Sequence, residues 1–306
     1  MPKARCASLL LVSMFALWEE IKSIIRAILQ CLKDHHCKFC MFWRLTLNFN
    51  VLSQWLVDFV ATYPEKYNEI AIWREPIIAC SPADERFLRL KEITVTDHAL
   101  PADLLRDGKT VVVWFIPFKF HIQMDNTQGK HPALSWGRAY LATNDMINRI
   151  GSAMKDFIEK EGGEAALTPA THNFDKKRMV SLWSHKHLGH LIGLGRYGTN
   201  CQLITPEGCS GRMGSLVTNL ELGDHPLVTT DELCLVKGGK KCGKCIKSCP
   251  VDALSEEHMD KSLCYVRLRE NYQLLMEPDG LPETTSVCAK CQVGMPCSVR
   301  SPLPTH

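Results

Sequence analysis

Apolar residues recur along the chain with different rhythms, and each rhythm predicts an element. Over roughly the first sixty residues Trp18, Ile21, Ile24, Ile25, Ile28 and Leu32 return every three or four positions, which predicts a helical extension over 1–60. This stretch opens with a basic flank and an apolar run from Cys6 to Trp18, the outline of a signal peptide. No small-x-small cleavage site follows, however, and Glu19 and Glu20 continue into IKSIIRAILQCL, which reads as helix. The run is shorter than the ~20 residues that span a bilayer, so no membrane span is expected and the protein is placed in the cytoplasm. A helix lying on a membrane surface remains compatible with the pattern.

At Thr110 the helical rhythm gives way to TVVVWFIPF, a β-branched and aromatic run unbroken up to Pro117, which predicts a strand buried on both faces. Tyr140, Ile147, Ile150, Met154, Phe157 and Ile158 then trace one face of a helix that stops at Gly162 and Gly163. With AALTP and NCQLITP as further strands, the order of elements predicts α/β layering. After Pro226, Lys, Gly and Cys take over, and no apolar segment is long enough for a self-sufficient core. The expected layout is a helical extension at 1–60, an α/β domain at 61–228 and a small domain at 229–306 held by something inorganic.

Composition sharpens this picture in two ways. The 306 residues are 45% hydrophobic and 23% charged, enough for two ordinary domains and too balanced for a disordered chain. Lys+Arg 36 against Asp+Glu 33 leaves a formal net charge of +3, and no basic block interleaved with aromatics occurs, so a large nucleic-acid-binding face is not indicated. The unusual number is 15 cysteines, because a disulfide scaffold spreads them evenly whereas here they crowd between Cys234 and Cys297.

Within that crowd CLVKGGKKCGKCIKSCPVDAL places Cys242, Cys245 and Cys249 as Cys-x2-Cys-x3-Cys-Pro, with Cys234 upstream. In the bacterial ferredoxin run the cysteine before Pro serves the other cluster, so a second set is required. Cys264, Cys288, Cys291 and Cys297 supply it. Zinc sites use two Cys-x2-Cys pairs and need neither the interleaved third cysteine nor the Pro, so two [4Fe-4S] clusters are the expected cofactors. Lys237, Lys240, Lys241, Lys244 and Lys247 surround the first cysteines, and cations there should raise a cluster's potential and attract an acidic electron donor; a solvated basic loop explains most of them equally well. The HHCKFC stretch offers His35, His36, Cys37 and Cys40, but no second ligand pair follows at zinc-finger distance.

GLGRYG spaces Gly193, Gly195 and Gly198 as G-x-G-x-x-G, yet helix-like SHKHLGHLI precedes it and strand-like CQLITP follows, the reverse of a dinucleotide fold. The stretch HLIGLGRYGTNCQLITPEGCSGRMGSLVTNLEL instead resembles the epoxyqueuosine reductases, whose relatives include the cobalamin-dependent reductive dehalogenases. CGKCIKSCPVDAL, DKSLCY and CAKCQVGMPC resemble their two-cluster domain, and LPADLLRDGKTVVVWFIPF resembles their first strand, so that the likeness covers roughly residues 95 to 300. It implies a degenerate nitroreductase-like α/β domain binding cobalamin near Gly193, Gly195 and Gly198, followed by a small α+β ferredoxin-like domain. It also implies that Cys234, Cys242, Cys245 and Cys297 hold one cluster, and Cys249, Cys264, Cys288 and Cys291 the other. The seven-residue gap after Cys234 and the Cys-x5-Cys ending at Cys297 depart from the family's spacing.

The resemblance further implies a reductase fed by a low-potential donor of ferredoxin or flavodoxin type and acting on tRNA or a small molecule. In the family an acid lies some way before the glycine turn. Here that place falls on Met179, with Asp175 nearby but off register. His185, His187 and His190 are alternative proton donors, although three histidines at i, i+2 and i+5 do not share a helix face and suit polar positions beside a cofactor or solvent. Cys201 and Cys209 read as small buried residues. Loss of the expected acid would also suit a non-catalytic electron carrier or docking subunit.

Overall fold

One strand, Thr110–Pro117, buried along its whole length, organises the fold. The computed structural model describes residues 47–169 and 174–306. The helical face from Trp18 to Leu32 and the HHCKFC residues His35, His36, Cys37 and Cys40 lie outside the described residues.

Helix α1 (Phe49–Tyr67) starts at Asn48, whose Oδ1 accepts the Val51 N–H, and ends at Asn68 in the left-handed region. Leu52, Leu56, Val60 and Tyr63, three and four apart, are its buried positions. Strands β1 (Ile77–Pro82) and β2 (Thr110–Pro117) follow, then the long helix α2 (Leu134–Lys160) and the short β3 (Ala165–Leu167). Helix α3 (His185–Leu191) leads through the glycine turn into a two-residue hairpin of β4 (Arg196–Tyr197) and β5 (Leu203–Ile204), and the last long strand is β6 (Gly211–Thr218).

The main sheet has the order β1-β2-β6-β3, antiparallel at every step. All eight residues of β2 are buried, as expected of a strand covered on both faces. Val112, Trp114 and Ile116 point to the side covered by α1 and α2. Val111, Val113 and Phe115 point to the other, against Leu188, Ile192, Leu194 and Leu203. The sheet thus presses α3 and the glycine turn onto one of its faces. One strand expectation is corrected and one strand was not anticipated. NCQLITP narrows to Leu203–Ile204 in a hairpin outside the main sheet, and the strand pairing with β2 is the glycine-bearing Gly211–Thr218. Gly214 stands opposite Trp114, where a Cβ would run into the indole, so a glycine inside the strand is what lets that ring lie flat.

From residue 229 onward the described extended pairing is a single bridge, Leu254 with Met259. Helix α4 (Lys261–Asn271) starts at Asp260, whose Oδ1 accepts from the Ser262 and Leu263 N–H groups at 2.9 Å each. Met276, Val287 and Val293 join the same core as α1 and α2. Among the described residues no helix is long and apolar enough to cross a membrane.

Candidate functional site

The glycine turn is a packed corner. Gly193 adopts φ 76° and its carbonyl accepts from Leu227 N at 2.9 Å and Val228 N at 2.8 Å. The Arg196 guanidinium donates to the carbonyls of Thr230, Val228 and Gly195, which draws the segment leading to Cys234 alongside the turn. A Cβ on Gly193 would lie 2.6 Å from Pro226 Cβ, and one on Gly198 2.7 Å from Asn200 Oδ1; one on Gly195 would press into the Ile204 carbonyl. The space left by the missing side chains is therefore filled by this chain. Of the three glycines to which the resemblance assigned cobalamin, Gly193 and Gly195 are thus covered by this chain's own backbone and side chains. Gly198 borders the two cavities that hold the candidate cysteines.

Two cavities divide the eight candidate cysteines. Cys234, Cys242, Cys245 and Cys297 line a small one together with Gly198, Thr199 and Asn200. Cys249, Cys264, Cys288 and Cys291 line a large one of about 960 Å³, joined there by Cys201. Cys245 and Cys249 are close in sequence, yet the Lys244–Lys247 turn, entered through Gly243 at φ 72°, sends them to different cavities. Burial pushes the thiols of Cys245 and Cys264 up to about 11, and neighbouring thiols push the same way. Cys209 is buried and hydrogen-bonded to Cys297, whose thiol lies below its ordinary range. Cys201 instead stands partly open on the large cavity, in the left-handed region at φ 55°.

The donor chemistry fits iron–sulfur cubanes. Among the described residues no three His, Cys, Asp or Glu converge on the space of one metal ion. A lone zinc draws four ligands to one point about 2.3 Å from each sulfur, whereas a cubane takes its thiolates at outer corners, on different irons, so they stand around a cavity. The large cavity also fits a bulky ligand edged with amides. His190 Nδ1, Glu232 Oε2 and Arg267 Nε, buried on its wall, have no hydrogen-bond partner among the described residues.

The proton-donor candidates separate. His187 and His190, three apart on α3, face the large cavity; His185 does not, its Nδ1 hydrogen-bonded to Ser215 Oγ at 2.8 Å. Burial pushes His185 and His190 down to about 4 and His187 to about 3, so all three are neutral at pH 7. Asp175 lies outside the cavity lining, its carboxylate paired with Arg178 at 2.9 Å and capping the Lys177 and Arg178 N–H groups, which hold it below its ordinary range. Met179 is on the cavity wall. Sequence reasoning missed Lys186, on the same wall, whose Nζ donates to the Cys201 carbonyl at 2.9 Å and whose ammonium is disfavoured by burial. It also missed Thr199 and Asn200, a polar pair directly behind the glycine turn that no motif spacing marks.

The histidines give a testable pH dependence. The unfolded chain takes protons near the ordinary value of 6.5, while the fold refuses them until pH falls to about 4 or 3. Stability is therefore full above about pH 6.5 and declines as pH drops towards 4, by up to ~1.4 kcal/mol per pH unit for each histidine. Urea unfolding at pH 7.5 and pH 5 should show this loss, and His185→Gln should reduce it. An equal loss in both proteins would contradict the assignment.

Fold and site together define an α/β protein that divides two sets of four cysteines between neighbouring cavities. Its relatives are epoxyqueuosine reductases: the enzyme of that name from Bacillus cereus is 29% identical over 170 residues, covering 53% of this chain and 39% of the relative. The match thus spans about two-fifths of the length of that curated relative. No family model matches the chain. Among solved structures, epoxyqueuosine reductase from Streptococcus thermophilus superposes with a TM-score of 0.45 at 16% identity, covering 81% of this chain and 68% of that one. An epoxyqueuosine reductase with an epoxyqueuosine-modified tRNA-Tyr stem loop gives a TM-score of 0.40 at 18% identity, covering 66% and 53%.

Proposed function

We propose that this protein is an oxidoreductase of the epoxyqueuosine reductase kind, with two [4Fe-4S] clusters and a cobalamin in the large cavity. In this reading Cys234, Cys242, Cys245 and Cys297 hold the first cluster and Cys249, Cys264, Cys288 and Cys291 the second. The observation that carries it is that the second set shares the large cavity with the segment behind the glycine turn, while Gly198 borders both cavities. Bound there, the clusters supply electrons singly and the corrinoid supplies the metal chemistry that removes oxygen from a substrate.

This chain's residues do the rest. His190 Nδ1, Glu232 Oε2 and Arg267 Nε offer hydrogen bonds to the ligand's polar edge. His187, its Nδ1 tied to Ser184 Oγ at 2.7 Å, presents a neutral imidazole to the cavity. Lys186 holds a proton on Nζ beside the Cys201 carbonyl, where burial brings the ammonium closer to giving it up. The exposed Lys237, Lys240, Lys241, Lys244 and Lys247 beside the first set suit an acidic, low-potential donor protein of ferredoxin or flavodoxin type. The substrate is an epoxyqueuosine-like group in tRNA or another small molecule, and the working place is the cytoplasm.

One observation favours a second reading. Met179 stands on the wall where an acid was expected and Asp175 is tied up elsewhere, as suits an electron carrier that has lost corrinoid chemistry. Titrating the iron-loaded protein with cobalamin separates the two. The reductase reading expects a base-off spectrum, abolished by Gln202→Trp on the cavity wall with iron content unchanged. No spectral change at cobalamin well above the protein concentration makes the carrier reading the better one.

A further inference from the structure

Beside the small cavity lies a hydroxyl that the reading above leaves without a task. Thr199 is 5% exposed, and its Oγ1 lies 3.5 Å from Sγ of Cys234, itself 9% exposed. In the metal-free protein either atom can donate. A sulfur bound to iron has given up its proton, so in the loaded protein the hydroxyl must be the donor. The hydroxyl makes no other hydrogen bond among the described residues, and a buried donor turned away from its partner is costly.

We propose that Thr199 is a positioning residue for the first cluster: its Oγ1–H donates to the Cys234 sulfur and sets that cluster's reduction potential higher than it would otherwise be. This rests on the reading that Cys234 is a ligand. Reduction adds negative charge that spreads onto the ligand sulfurs, so a fixed donor stabilises the reduced state more than the oxidised one. Burial strengthens the effect, since little water competes or screens.

The arrangement is specific to one set. On the second set, Cys249 Sγ accepts from the Ala253 backbone N–H at 3.2 Å, a donor no side-chain change removes. The Thr199 hydroxyl can be removed alone. Its neighbour Asn200 donates from Nδ2 to the Cys291 carbonyl at 2.9 Å, which fixes the segment against the other set and holds Thr199 in place.

The test is an anaerobic redox titration of the full chain with both clusters loaded, followed by electron paramagnetic resonance. It compares the wild type with Thr199→Val, which keeps the shape without the hydroxyl, and Thr199→Ser, which restores it. All three should hold the same iron. Val should move one midpoint potential to a more negative value and leave the other in place, and Ser should return it towards the wild type. Two unchanged potentials, or equal shifts in both, overturn the inference; so does iron loss in the Val variant that Ser does not repair, which would assign Thr199 to packing. Cys234→Ser tests the underlying reading separately. If it keeps full iron and both signals, Cys234 is no ligand and reading and inference fail together. If it loses about half the iron while Thr199→Val leaves both potentials unmoved, the inference alone fails.

Discussion

Anaerobic reconstitution will load about eight iron and eight sulfide per chain, four of each in every cubane. Two cavities each lined by four of the candidate cysteines support this number. Cys245→Ser and Cys249→Ser should then injure different clusters, although one residue lies within the short helical turn Lys244–Lys247 and the other just after it. Loss of Cys245 should remove the signal of the cluster whose remaining ligands are Cys234, Cys242 and Cys297. Loss of Cys249 should remove the one completed by Cys264, Cys288 and Cys291. Electron paramagnetic resonance of the two variants distinguishes these outcomes. Zinc in place of iron, or the same lost signal in both variants, would sink the assignment.

Gly195→Ala will destabilise the protein by about 1–3 kcal/mol or more. A Cβ at this position would press into the Ile204 carbonyl and crowd the side chain of Leu203, so β4 and β5 could no longer pair as they do. A backbone oxygen cannot turn aside as the end of a side chain can. Gly129→Ala serves as the control: that glycine has φ 62° but nothing within 4 Å of the added carbon, so its cost is backbone strain alone. Thermal unfolding of the two variants should show the larger fall in Tm for Gly195→Ala. Equal falls would mean that the corner at Gly195 relaxes without loss.

The sequence revealed those elements whose chemistry is decided locally. Strand β2 was legible because no polar residue interrupts it, and α2 because its buried residues keep a helical period. Strand β6 was not. Its Gly211 and Gly214 look like loop residues until one sees that Phe115 and Trp114 of β2 occupy the space their side chains would need. That information sits a hundred residues away in the chain. The same holds at the site. Cysteine spacing exposes a metal chemistry because ligands are few and their order is constrained. The neutrality of His187 and His190 comes from burial, and the contact of Thr199 with Cys234 from folding, and neither leaves a mark in the spacing.

The division of cysteines between cavities has a consequence for biogenesis. Along the chain Cys234 and Cys297 bracket the other six candidate ligands, and both line the small cavity. During synthesis the cysteines of the large cavity are therefore complete while Cys297 is still to come. Bringing Cys234 and Cys297 together also closes a longer loop, with the greater entropic cost. Where iron and sulfide run short, chains should accumulate with the large-cavity set filled and the small-cavity set empty. Iron starvation would then be felt first by the cysteine set nearest the exposed lysines.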